Sequence, residues 1–499
     1  MKNIIKIFRI TILTGLVVSL CTCKKDKFLN VNGNPNFPST ITVNLALPTI
    51  EANTGYMLDN TMGVFGGLYS QYWTQDPTYG SQYGAFDQYH MVSGDVDNLW
   101  ITLYTNLSTV NYIINNSDTT QRNYAAIAYL MKAYNFQLLD DAFGDIPLSQ
   151  ALQPLKYPDP VFDKQSGTSH NVYDSAVVWI QTALNLIQAS SNPTSPPEDL
   201  FYPNQSMSQW QKFANTLLLK IYIRECIADP VTAKAGIAKM PSTASSYLMT
   251  GSTDDAKLLY ASQVFQQYPL YAAQVYFNTR NITGSATVIN YFNTLNDPRV
   301  ADFYLPTANS VTAGTPAYAG ELQGDWKALS AQPDNGFSPP GPEVLSATAS
   351  CRFLTASESY FLQAEAVARG YMSGSAATLY ESGITQSWMA WTNSSTNIAN
   401  LPAYMAQDSV NFAKATTLPL QIRYIITQKW LSMCGNQNFE AWTEWRRTRY
   451  PQVFTVSLSS VLGGTLMPLR MVYPTSEIND NTNFPGSLPI STAVWWDKN

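Results

Sequence analysis

The sequence is poor in charge. Only 13% of its 499 residues are Asp, Glu, Lys or Arg, about half the share of an average soluble domain. The formal net charge is −6, and no dense Lys/Arg cluster occurs in its body. A nucleic-acid binder carries a basic patch, so that class is excluded. Histidine is scarcer still: His90 and His170 are the only two. No HExxH, GxSxG, Walker loop or GxGxxG is present, and neither histidine stands in a nucleophile context. Of the cysteines, Cys226, Cys351 and Cys434 form no CxxC and indicate no disulfide framework. Beyond the N-terminus no apolar run reaches the roughly 20 residues that cross a bilayer.

Carboxylates are present without a convincing catalytic arrangement. Glycosidases need two across a scissile bond. Asp95 and Asp97 stand where acids favour the positive end of a helix. Asp140, Asp141 and Asp145 look like turn formers at a helix end. Glu440 and Glu444 precede Arg446 and Arg447 at spacings that allow local ion pairs. Asp87, Asp95, Asp97 and Asn98 could offer oxygens to calcium, but their spacing matches no defined loop. No metal and no cofactor is expected.

What is plentiful is amide, hydroxyl and aromatic side chain, including 30 Tyr, 21 Phe and 12 Trp. Tyr and Trp join an apolar face to a polar tip, which suits surfaces that contact ligands. The N-terminus has the layout of an export signal: Lys2, Lys6 and Arg9, an apolar run from Ile10 to Leu20, then Cys21-Thr22-Cys23. The ending resembles a bacterial lipobox, with Leu20 and Thr22 placed correctly for Cys23 rather than Cys21. Residues 1–22 read as a lipoprotein signal peptide, Cys23 as the acylated residue, and 23–40 as a turn-rich tether. Two or more acyl chains hold a protein firmly to a membrane.

From residue 41 onward, helical periodicity dominates and predicts an all-α fold in one domain, 41–499. Helix pairs fall at about 97–140, 170–228, 356–391 and 402–434, of a size and small-residue spacing that suggest tetratricopeptide-like packing. Three long segments, 69–96, 268–304 and 308–349, read as irregular loops. Loops of that length are uncommon unless they act, and their aromatic content argues against disorder. The first holds Tyr69, Tyr72, Trp73, Tyr79, Tyr83, Phe86 and Tyr89 among Gln, Ser, Thr and Gly. Flat rings beside amides suit sugars, whose C–H faces stack while their hydroxyls bind polar groups. Trp73, Gln75, Tyr79, Tyr83 and Tyr89 are therefore candidate ligand residues, with Tyr268 and Trp326 from the other loops. A peptide could use the same surface, and the rings could instead fold inward.

Several segments resemble the SusD/RagB family of nutrient-binding outer-membrane lipoproteins of Bacteroidetes. They are CKKDKFLNVNGNPN from Cys23, YLMKAYNFQLLDDAFGDIP from Tyr129, WQKFANTLLLKIYIR from Trp210 and NDPR from Asn296. Further on come AEA from Ala364, IITQKWLSMCGNQNFEAWTEWRRTRYP from Ile425 and RMVYPTSE from Arg470. The resemblance implies a SusD-like fold of four tetratricopeptide-like units with long ligand-binding loops, and no enzymatic activity. It implies an outer-membrane, outward-facing location and a SusC-like TonB-dependent β-barrel as partner. The cargo would be oligosaccharide or, in some members, peptide. The family's ligand residues are not fixed in sequence, so none is transferred. Trp430, Trp442, Trp445, Arg446 and Arg447 read as core, with the arginines pairing to Glu440 or Glu444. A surface glycan hydrolase and a purely protein-binding scaffold are the rival readings.

Overall fold

A computed structural model describes residues 41–78, 82–165, 171–240, 247–277, 281–329, 336–391 and 398–499. The signal peptide, Cys23, the tether, Tyr79 and His170 lie outside the described residues. The first helices are α1 (Val43–Asp59), α2 (Thr61–Tyr69), α3 (Asp97–Asn116), α4 (Arg122–Phe143), α5 (Asn171–Ala189) and α6 (Ser208–Glu225). They are followed by α7 (Pro230–Ile237), α8 (Pro269–Phe277), α9 (Ala286–Thr294), α10 (Ala356–Ala368) and α11 (Ala376–Met389). The last two long ones are α12 (Leu418–Ser432) and α13 (Asn438–Thr448). Strands are few and short. Trp73–Gln75 (β1) pairs antiparallel with Ile282–Gly284, and Ala256–Leu258 pairs with Cys351–Leu354.

Sequence dictates these elements in ordinary ways. In α3 the apolar residues Leu99, Leu103, Leu107, Val110 and Ile113 recur at helical spacing, and each is buried. Thr355, Ser375 and Ser285 cap α10, α11 and α9 by accepting a backbone N–H from within the first turn. Consecutive helices pack as neighbours: α3 on α4, α4 on α5, α5 on α6 and α10 on α11. Helix α12 lies against α10, α11 and α13. Its expected partner at 402–408 is a single short helix, Leu401–Met405.

The core runs from Val43 to Trp496 without a break, and an ionic knot lies inside it. Arg224 of α6 pairs with Glu440 at 2.7 Å and with Glu444, both on α13. Lys220, one turn earlier, reaches Glu440 at 2.8 Å and Glu358 of α10 at 3.2 Å. Lys429 of α12 sits between Glu358, Glu440 and Glu444. Arg447 clamps Glu365 and Glu444, each at 2.7 Å. Burial alone would push these carboxyls up, but the surrounding cations win. Glu440 is held down at about 2 and Glu444 well below its ordinary value. A buried charge left alone is costly, which is why the acids and bases here are interleaved.

Two sequence expectations change here. Asp140 and Asp141 are not turn formers: both are buried, Asp140 accepting from Trp495 Nε1 and Asp141 from Tyr173 Oη. Among the described residues Arg446 makes no glutamate pair. It donates to the backbone oxygens of Asp141 and Leu469 and lies 3.8 Å from the Trp442 ring centroid. Arg447 does pair with Glu444, and the thiols of Cys226, Cys351 and Cys434 are buried and unpaired.

Candidate functional site

The aromatic segment after α2 does not form the open platform that its composition suggests. Trp73, Gln75, Tyr83, Tyr89 and Tyr268 are all buried, Trp73 completely. The reason lies in α2. A Cβ at Gly67 would fall 2.3 Å from the Trp73 ring, so only glycine lets the indole lie flat on the helix. Tyr89 packs edge-on against Tyr69 and uses its hydroxyl to accept from Ser457 N. Gln75 accepts from Tyr83 N, and Tyr268 packs edge-on against Tyr260. These rings are core, and the expectation that they face a ligand is corrected accordingly. Trp326 is half-buried, and its Nε1 finds no partner among the described residues. Its short helix follows the 321–323 loop.

A cavity opens along α9, lined by residues from Ala286 to Leu295. It measures about 390 Å³, within the range of small-molecule sites. Apolar walls come from Ala286, Tyr291, Leu295, Leu322 and Val453. Polar groups come from Thr287, Asn290, Ser409, Thr455 and Gln323. One wall is fixed by Gln71, whose backbone φ is +57°. Its Oε1 accepts from Thr287 Oγ1 at 2.6 Å and from Thr455 N at 3.1 Å. That single amide ties α9 to the 453–455 strand of chain. Tyr291 is held by an edge-on contact with Trp430, ring centroids 5.8 Å apart.

Beneath the cleft, Asp87 is the electrostatic anchor. It accepts from Thr74 Oγ1 at 2.7 Å, from Gln75 N at 3.4 Å and from Gln323 Nε2. Burial pushes its carboxyl up to about 6, and these hydrogen bonds restrain the rise. The acids weighed for catalysis are placed structurally. Asp95 accepts from Val92 N, Asp97 from Ser476 N and Asp145 from Gln165 N. No group of three or more metal-ligating side chains occurs among the described residues.

None of the cleft residues except those of the Trp326 loop lay near a sequence candidate. Segment 268–304, read as irregular, contains α8, a strand and α9. The signal was there in Ser285, an N-cap residue before Ala-Thr-Val-Ile-Asn-Tyr-Phe, but a nine-residue helix gives too short a period to stand out.

A family profile described as starch-binding, associating with the outer membrane, matches residues 35–474. The chain belongs to the SusD-like family. Solved structures agree with this. A chitin-binding protein is 25% identical, with a TM-score of 0.76, over 91% of this chain and 99% of its own. A chitin-binding SusD homologue from Flavobacterium johnsoniae is 23% identical with a TM-score of 0.75, covering 90% and 99%. A SusD homologue from Bacteroides fragilis is 24% identical with a TM-score of 0.74, covering 92% and 100%. No curated protein matches this SusD-like chain. The family associates with the outer membrane, and no helix among the described residues is long and apolar enough to cross one.

Proposed function

We propose that this SusD-like protein captures oligosaccharides at the cell surface in the α9 cleft and passes them to a SusC-like TonB-dependent barrel. A lipid on Cys23 holds it to the outer membrane meanwhile. The observation that carries the reading is the make-up of the cleft. One ring, Tyr291, and several aliphatic groups line, with Asn290 and Ser409, a space large enough for a sugar. A pyranose has the matching chemistry, a C–H face and a rim of hydroxyls. The side chains lining the cleft include no carboxylate, whereas glycoside hydrolysis uses two. Binding without chemistry fits this site. Chitin-binding relatives make N-acetylglucosamine oligomers the first ligands to try, ahead of maltooligosaccharides and peptides. Trp326, the half-exposed ring on the adjoining loop, is the proposed second contact.

Calorimetry with chitotetraose, maltotetraose and a mixed peptide pool tests the reading. A releasable cargo should bind in the micromolar to millimolar range, about −8 to −4 kcal/mol. Tyr291→Ala should weaken binding about tenfold, from lost ring contact worth roughly 0.5–1.5 kcal/mol beyond its buried area. A folded Tyr291→Ala protein that binds as tightly as before removes the cleft. Trp326→Ala reports separately on whether the ligand extends over the neighbouring loop. Glycan binding that survives both substitutions places the site elsewhere. Release of shorter sugars from any of these oligomers would favour the hydrolase instead.

A further inference from the structure

We propose that Gln71 is the positioning residue of the α9 cleft, its amide holding two of the walls together so that the site is already formed when a glycan arrives. The role rests on the cleft being the glycan site. Helix α2 ends in a turn closed by two backbone bonds. The N–H of Gln71 returns to Leu68 O at 3.2 Å, and that of Tyr72 to Gly67 O at 3.0 Å. The residue in Gln71's place must take a left-handed backbone, and its φ is +57°. Glycine is the usual occupant of that place, because it has no Cβ to clash. Glutamine is strained there, and such strain persists only where the surroundings fix the residue.

The surroundings here are the cleft walls. Gln71 is 1% exposed. Its Nε2 donates to Thr455 O, while its Oε1 accepts from Thr455 N at 3.1 Å and from Thr287 Oγ1 at 2.6 Å. Thr287 and Thr455 both line the cleft. Turning the amide over would set donor against donor at Thr455 N and acceptor against acceptor at Thr455 O, so its orientation is fixed. The flanking residues fasten the same walls. Ser70 O accepts from Trp430 Nε1 at 3.0 Å, and Trp430 packs against Tyr291 and Phe454, with ring centroids 5.8 and 5.7 Å apart. Tyr72 O accepts at 3.1 Å from the N–H of Ser285, the residue that caps α9. Three consecutive residues at the end of α2 thus fix the start of α9, its Tyr291 ring and chain 453–455. No ligand has to touch Gln71: it acts by keeping Thr287 and Thr455 together.

A site held in its binding geometry avoids the ordering cost that association otherwise meets. If losing the amide leaves the cleft formed in about a tenth of the molecules, apparent affinity falls about tenfold. Calorimetry on the full chain at pH 5.5 and pH 8, with chitotetraose and maltotetraose as probes, tests this. Gln71→Gly suits the left-handed backbone but removes the amide, and should bind the preferred sugar about tenfold more weakly. In hydrogen exchange the peptide holding Thr455 should lose protection in the sugar-free variant and regain it when sugar is added. Gln71→Glu adds a titration. Ionised, its second oxygen faces Thr455 O, acceptor against acceptor; protonated, its O–H donates there and the pattern of the amide returns. Burial raises such a carboxyl. The variant should therefore bind about tenfold more weakly at pH 8 and come within about threefold of the unaltered protein at pH 5.5. Asp87, raised to about 6, is common to both chains, and the ratio of their affinities at each pH removes its contribution. A buried residue without a role in the cleft would give no such pH profile. Unfolding midpoints accompany each measurement. The assignment is overturned if folded Gln71→Gly binds as tightly as the unaltered protein, or if the ratio for Gln71→Glu is the same at both pH values. Should Gln71→Gly fail to fold, the pH profile of Gln71→Glu decides. Unchanged binding in Gln71→Gly together with loss in Tyr291→Ala would remove this role and leave the cleft standing. Failure of the unaltered protein to bind either sugar would remove the reading of the cleft, and this role with it.

Discussion

Replacing Glu444 by Ala strikes the ionic knot where three helices meet. Its carboxylate lies 2.7 Å from Arg447 Nη2 and 3.4 Å from Lys429 Nζ, and it also contacts Arg224, with its side chain 5% exposed. Removing one member of a buried ion cluster typically costs 3–5 kcal/mol, because its partners keep their charge in a medium that cannot solvate it. Glu365 still faces Arg447 and Glu440 still faces Arg224, so the lower end, about 3 kcal/mol, is expected. Unfolding entropy of about 2.1 cal/mol/K per residue amounts to roughly 1 kcal/mol/K for a folded body of this length. The melting temperature should therefore fall by about 3 °C in differential scanning calorimetry. The exposed pair Lys414–Asp408, with side chains 57% and 88% accessible, provides the control. Asp408→Ala should shift the midpoint by less than about 0.5 °C, because exposed pairs contribute little. If Glu444→Ala melts within 1 °C of the unaltered protein, the carboxylate is not desolvated among cations, and the account of the core given above is wrong.

The pH dependence of stability follows from two opposed sets of carboxyls. Glu440, held at about 2 by its cations, contributes stability that is present above the unfolded value near 4.5 and lost as pH falls toward 2, on the order of 3 kcal/mol. Asp59, raised to about 7, and Glu225, raised to about 8, both by burial, bind protons more tightly when folded. Stability therefore declines as pH rises from about 4 through those values. Melting temperature plotted against pH should peak near 4 and fall from there toward pH 8, and a flat profile from pH 3 to 8 would contradict both assignments. Trp73→Ala should cost about 3–5 kcal/mol, as for other buried tryptophans, and unfolding in urea measures it. Gly67→Ala should destabilise by about 1–3 kcal/mol, because its Cβ would meet the indole of Trp73. The thiols of Cys226, Cys351 and Cys434 should resist a thiol reagent until the chain unfolds, since they are buried and burial pushes Cys226 up to about 11. Labelling of any of them at native rates equal to free cysteine would show a looser packing.

Periodicity made the long helices legible. The expected span Leu99–Ile114 is α3 to within two residues at either end, and Tyr124–Leu139 lies wholly inside α4. Helix α1 has a weak sequence signature because Pro48 and Gly55 interrupt its apolar pattern. The candidate site was harder to read. Composition alone cannot say whether a ring looks out or in, and at Trp73 that was decided by Gly67, two residues before the end of the preceding helix. Tyr291, Gln323 and Val453 meet only through tertiary structure, from positions far apart in the chain. Their conjunction has no local signature. The ionic knot shares that property. EAWTEWRR promised pairs within itself, whereas Glu440 and Glu444 also reach Lys220, Arg224 and Lys429 on other helices.

Locking Lys220, Arg224, Lys429, Arg447 and their acidic counterparts inside a chain with so few ionic residues leaves fewer fixed charges on its outer face. Each charge held inside is one fewer for dissolved ions to screen. An uncharged polymer would then arrive by diffusion alone, at a pace indifferent to the saltiness of its surroundings. For the proposed capture of neutral sugars, the rate of encounter would then stay steady in water of varying composition.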